Sequence, residues 1–225
     1  MEELTYLQHK NPHTYDNHIQ FDEGPHVYHI NGDTNNVSVT TLVHNFFPKF
    51  EADQIIKKMM RSPKWPSSPY FGMTASQIKQ KWKDSGSEAS QAGTCMHLDI
   101  ERYYNQIDVH NTSVEFQYFQ RFEKFRLRQG LVPYRTEWVV FDLEHRLAGS
   151  IDMVYQVEEG NNTDLVIYDW KRSKEIKKDN TFEYGYPPLE HLPHCNFWHY
   201  SLQLNIYKYI LEHNYETIER LLGLA

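Results

Sequence analysis

The chain is poor in the features that mark several large protein classes. Only two of its 225 residues are cysteine, Cys95 and Cys195. Two thiols make no disulfide framework, point to a reducing compartment (cytoplasm or nucleus, not secretion), and exclude a four-cysteine iron–sulfur cluster. No apolar run approaches the ~20 residues needed to cross a bilayer, so no membrane partner is expected. The opening M-E-E-L-T-Y-L-Q-H-K has neither the apolar stretch of a signal peptide nor the arginines of a transit sequence. Positive charge is scarce too. The net charge is −7 and the pI near 6.0, which argues against a bulk electrostatic grip on nucleic acid. The scarcity is uneven: residues 49–128 carry 13 Lys and Arg against nine Asp and Glu, and K-R-S-K-E-I-K-K at 171–178 has five basic residues and one acid. A local basic groove and ordinary solvated helix faces both fit that distribution.

The informative stretch runs from Gly149 to Lys171. Two alternating apolar runs, G-S-I-D-M-V-Y-Q-V and L-V-I-Y-D-W-K, flank a polar turn, the pattern of a β-hairpin. A turn centred on Gly160-Asn161 places Asp152 directly opposite Asp169, with Cβ atoms roughly 5 Å apart. Like charges so placed repel, and a divalent cation is the natural compensation because hard cations take carboxylate oxygens. Lys171 shares the strand face of Asp169, and Trp170 points the other way, to the core. Two carboxylates and an ammonium on one sheet face suit metal-assisted phosphodiester hydrolysis.

Around this stretch the pattern is helices, then a three-stranded meander, then a helix, which is an α+β arrangement with one sheet. Residues 1–22 read as a polar arm, poorly tied down. Residues 24–39 suggest a hairpin about Asn31-Gly32-Asp33. Ser38 is an N-cap for a short helix stopping at Phe47-Pro48. Helices are expected over 51–61, from the Thr74–Gln77 capping box to Lys83, over 88–105 and over 113–129, with a break at 84–87 and a stop at Gly130. Strands are expected over 131–141, 147–157 and 165–172, an irregular loop over 180–193, a helix over 196–214, and a further element over 216–222. The expected division is the arm, a hairpin and helical elaboration over 23–87, and a catalytic core over 88–225, the last two forming one domain.

G-S-I-D followed by D-W-K resembles the PD-(D/E)XK nuclease superfamily, in particular its RecB-like exonuclease branch. Gly93-Thr94-Cys95-Met96-His97 with Glu101 is similar to that branch's G-T-x-x-H-x-x-x-E helix, and Gln203-Leu-Asn-Ile-Tyr207 to its Q-x-x-x-Y helix. The four pieces stand in the family's order over about half of the chain. The S-V-T-T run at 38–41 is similar to the N-terminal part of some viral and phage relatives; mitochondrial genome-maintenance exonucleases are also of this kind.

The resemblance implies an α/β/α core with a mixed central sheet and helices on both sides. It also implies one or two Mg²⁺ or Mn²⁺ ions, and DNA ends or single-stranded DNA as substrate, alongside other replication or repair proteins. It leads one to expect another strand or two beyond the Q-x-x-x-Y helix, so that either the sequence is trimmed at Ala225 or the sheet is short at that edge. Carried onto this chain, Asp152 and Asp169 hold metal with His97 and the backbone carbonyl of Trp170, and Lys171 positions or activates the attacking water. Gln203 and Tyr207 contact nucleic acid and support the lysine, and Arg172 and Lys174 are placed to hold phosphates. Glu101, on the helix face of His97, orients a metal-bound water or His97, or makes a structural hydrogen bond. Glu137 is either an acid near the metals or an edge-exposed residue. Two other functions stay open: an RNA endonuclease of the same superfamily, and a non-catalytic nucleic-acid-binding module. His191, His194, Cys195 and His199 match no familiar closed zinc site and read as loop and helix surface.

Overall fold

The computed structural model describes residues 4–159, 162–215 and 221–224. The chain divides into two compact units, Lys49–Cys95 and Met1–Pro48 with Met96–Ala225. The hairpin expected to join the helical elaboration therefore groups with the larger unit.

In chain order the elements are α1 (Tyr6–Lys10), a 3-10 turn (Thr14–His18), β1 (Ile19–Asp22), β2 (Val27–Ile30), β3 (Val37–Ser38), α2 (Val39–Asn45), α3 (Ala52–Met60), α4 (Ala75–Tyr104) and α5 (Val114–Arg128). There follow β4 (Val132–Asp142), β5 (Leu147–Glu159), β6 (Asn162–Tyr168), α6 (Asn196–Asn214) and β7 (Leu221–Leu224).

Several local signals act as their chemistry dictates. Ser38 Oγ accepts from the Thr41 amide and starts α2. Thr74 and Gln77 cap each other at the head of α4. Gly130, at φ 67°, takes the left-handed conformation that ends α5.

Three expectations need correction. Residues 4–22 are not a loose arm. Leu7 is buried, β1 pairs with β2, and Asp16 is held by Arg135. The hairpin lies one strand earlier than Asn31-Gly32-Asp33, because that turn leads instead to β3, which pairs parallel with β5 at Leu147 and Ala148. Residues 84–87 do not break the helix: α4 runs unbroken for 30 residues. The helical cost of Gly86 is only about 1 kcal/mol, and Gln80 donates to Asp84 one turn on.

The sheet has five strands, with β5 paired antiparallel to both β4 and β6, and β7 parallel to β6. β7 supplies a strand after α6, as the resemblance implied; residues 216–220 and the proposed turn at Gly160-Asn161 lie outside the described residues. The register on either side of that turn is the expected one, with Met153 opposite Tyr168 and Glu159 opposite Asn162.

Neighbouring residues of β5 enter different hydrophobic clusters. Val154 packs with Ile167, Leu204 and Ile210, on the α6 side. Met153 and Tyr155 pack with Ile100, Phe116 and Phe119, from α4 and α5. Since successive strand residues point to opposite faces, helices cover both faces of the sheet: an α+β, restriction-endonuclease-like architecture. Ile151 packs on the α6 side although Met153, two residues on, faces the other way. The alternation is thus broken at Asp152.

Candidate metal and catalytic site

The site is built where three strands bring their acids into line. Thr136 pairs with Met153 and Trp138 with Ile151, so Glu137 on β4 stands level with Asp152 on β5. By the β5–β6 register Asp169, one residue past the end of β6, stands level with Asp152 on the other side. The D-W-K tripeptide leaves the strand here instead of extending it, as residues 165–172 had suggested. Glu137 has φ 42°, a conformation unfavourable for a residue with a Cβ and characteristic of sites where function holds backbone strain.

Each side chain has a defined support. His97, near the end of α4, donates from Nδ1 to Glu137 Oε1 (3.2 Å) and from Nε2 to the Trp170 carbonyl (2.9 Å). Both ring nitrogens therefore face acceptors. Burial alone would push this imidazole's pKa down, but Glu137, Asp152 and the Trp170 carbonyl outweigh it and raise it. Ser150 donates to the second oxygen of Glu137 (3.0 Å), and the Trp170 amide donates to Asp152 Oδ2 (2.7 Å). Burial, then the charge of Asp169, raise the pKa of Asp152, against the pull of Lys171 and His97. Lys171 Nζ donates to Asp169 Oδ1 (2.8 Å), and Gln203 Nε2 reaches the same oxygen (3.2 Å). Burial disfavours the lysine's charge, yet Asp152 and Asp169 prevail, and its pKa rises; Lys171 is an ammonium at physiological pH.

The remaining candidates fall into two groups. Glu101 lies beyond Glu137, and burial together with the charges of Glu137 and Glu23 pushes its pKa up to about 7. It shares a small polar cavity with Glu137 and Arg135. Tyr207 lies in the core and offers almost no surface for a nucleic-acid contact. It is 3% exposed, and a Cβ on Gly149 would come within 2.6 Å of its hydroxyl. The glycine of G-S-I-D is thus the seat of the tyrosine of Q-x-x-x-Y. Burial, then Tyr28, Asp152 and Asp169, hold that phenol protonated. Gln203 is likewise buried and supports Asp169. Arg172 is paired with Glu115 at 2.8 Å, and Lys174 is exposed. Sequence reasoning gave no role to Ser150 or Tyr200. Ser150 lay within a quoted motif, two residues from Asp152. Tyr200, whose ring lies 5.5 Å from Lys171 Nζ, was marked only by its position one turn before Gln203.

A model of the PD-(D/E)XK nuclease superfamily matches residues 78–222, more than half of the chain. The chain belongs to the PD-(D/E)XK nuclease superfamily. No curated protein and no solved structure matches it. Membership implies divalent-metal-dependent nuclease chemistry and a nucleic-acid substrate. Among the described residues no helix is long and apolar enough to cross a membrane.

The donors present fit such an ion. His97, Glu137 and Asp152 offer ligand atoms within 4.8 Å of one another, all nitrogen or carboxylate oxygen, donors that divalent cations accept. Three carboxylates (Glu137, Asp152, Asp169) meet only two cationic groups, His97 and Lys171, leaving an excess of negative charge.

Proposed function

We propose that this chain is a divalent-metal-dependent deoxyribonuclease acting on DNA ends or single-stranded DNA, as an exonuclease. The observation that carries this reading is the alignment of Glu137, Asp152 and Asp169 across three strands, with His97 and Lys171 against them. The order of the RecB-like motifs supports the choice of DNA ends. In this reading Asp152, Asp169, His97 and the Trp170 carbonyl hold the ion, Mg²⁺ or Mn²⁺. Glu137, itself held by Ser150, fixes the His97 ring from its other nitrogen, as carboxylates commonly do for metal-ligating histidines.

A bound divalent ion supplies Lewis-acid polarisation of a phosphoryl oxygen and lowers the pKa of a coordinated water. Lys171, an ammonium, orients the attacking water and steadies the negative charge that builds on the non-bridging phosphoryl oxygens; it does not take the water's proton. The water oxygen bonds to phosphorus as its proton passes to solvent, the bond from phosphorus to the leaving oxygen breaks, and that oxygen takes a proton from solvent. Asp169 and Gln203 hold the ammonium in position. Exposed Lys174 and, once released from Glu115, Arg172 are placed to meet phosphates past the strand end.

The test is a gel assay on single-stranded and duplex DNA labelled at either end, and on matched RNA, with Mg²⁺, Mn²⁺ or EDTA. Metal-dependent laddering of DNA that disappears in Lys171→Ala is expected. Cleavage of RNA alone, or undiminished cleavage by Lys171→Ala, contradicts the reading.

A further inference from the structure

A pocket of about 300 Å³ lies between α2 and α6 and ends at the catalytic lysine. Thr40 and His44 line it from α2, His199, Tyr200 and Gln203 from α6, and Lys171 from the segment after β6. Gln203 and Lys171 both bond to Asp169, so the pocket opens onto the same carboxylate that borders the metal site.

The lining has the character of a stacking site. Three of its residues present rings: His44, His199 and Tyr200. The His199 ring is fixed by Phe47 (centroids 4.2 Å apart) and by His194 stacked against it at 5.1 Å. His44 stands 5.5 Å away at 52°. His199 Nε2 is enclosed and has no hydrogen-bond partner among the described residues. Burial, then the neighbouring His194 and His44, push the His199 pKa down to about 4. The ring is therefore neutral at physiological pH, a face for a base and not a grip for a phosphate. Single-stranded nucleic acids are commonly held by bases stacked on such rings.

We propose that this pocket takes the nucleobase adjoining the scissile phosphate, with its ring against His44, His199 and Tyr200. The proposal rests on the nuclease reading for the word scissile, and its test separates the two. Single-stranded oligonucleotides carrying one abasic residue at successive positions are digested and the ladders compared. One register, where the abasic residue falls in the pocket, should be cut roughly tenfold more slowly, the effect of losing one stacked base. In His44→Ala, an exposed position, and in His199→Ala that pause should shrink at least threefold.

Binding is read separately in EDTA, from the quenching of 2-aminopurine placed near the oligonucleotide's end, which His44→Ala should reduce. Quenching that depends on His44 without any cleavage supports the pocket and overturns the nuclease. Cleavage with no pause at any register, or a pause undiminished in both variants, overturns the pocket and leaves the nuclease standing.

Discussion

Two residues of the same strand, Arg135 and Glu137 on β4, sit in charged clusters, the first buried and the second half-buried, that are satisfied in different ways. Arg135 forms a two-pronged bond to Asp16 (2.9 and 3.0 Å), donates to the Asn11 carbonyl, and stacks over Trp138, whose indole also donates to Asp16. One cation meets one anion there, and the donors and acceptors close on each other. Glu137 stands beside Asp152 and Asp169 with a strained backbone and an excess of carboxylates. The first cluster ties the N-terminal segment to the sheet and is complete in itself. The second holds more carboxylates than cationic groups, and on the proposed function a cation balances it.

The largest effect should come from breaking the closed cluster. Arg135→Ala leaves Asp16 buried without its partner and should cost about 3–5 kcal/mol of stability, read from denaturant midpoints. Burial would raise the Asp16 pKa, but Arg135, His13 and Trp138 together bring it below the usual 3.8. Its stabilisation is therefore complete above that value and lost as pH falls through the lower, folded-state pKa. The wild type should lose stability over that acid window, and Arg135→Ala should show a flatter profile there.

Breaking the open cluster should affect chemistry instead. Lys171→Ala should lower the cleavage rate about 10²–10³-fold, the usual effect of removing one preorganised charge stabiliser, with the thermal midpoint little changed. Glu137→Ala should weaken Mn²⁺ binding about 10–100-fold, as loss of a ring-orienting carboxylate does; calorimetry measures it. Gly149→Ala should cost about 1–3 kcal/mol by driving a methyl into the Tyr207 ring. The smallest effect carries the opposite sign. Asp152→Asn in EDTA should stabilise the protein by about 1 kcal/mol, because it removes a desolvated charge facing Asp169. A loss of stability there would mean that the carboxylates are balanced without metal.

Local signals in the sequence were sufficient for much of this. The β5–β6 register followed from turn chemistry and alternation, and it alone put Asp152 opposite Asp169. Helix α6 occupies the residues expected, 196–214, and the caps at Ser38 and Thr74 are where their side chains predicted. What escaped depends on partners distant in the chain. Nothing near Asp16 announces Arg135, 119 residues away, so residues 1–22 looked unattached. The pairing of Val37 and Ser38 with β5 is equally remote. The sequence leaves Glu137 either an acid near the metals or an edge-exposed residue, because its alignment with Asp152 requires the β4–β5 register and its φ is invisible in sequence. Motif spacing does not say which face of a helix is buried, so Tyr207 reads in sequence as a nucleic-acid contact and support for Lys171. D-S-G-S at 84–87 looked like a break because propensity there is weak, though the hydrogen bonding of α4 carries the chain through it.

The central claim, that Asp152 anchors a divalent cation in this cluster, is tested most directly by calorimetric titration of the metal-free protein with Mn²⁺, in parallel with Asp152→Ala and Lys171→Ala. The account predicts saturable binding by the wild type and by Lys171→Ala, whose lost ammonium is not a ligand, and none by Asp152→Ala. Failure of the wild type to bind, or equal binding by Asp152→Ala, would contradict it.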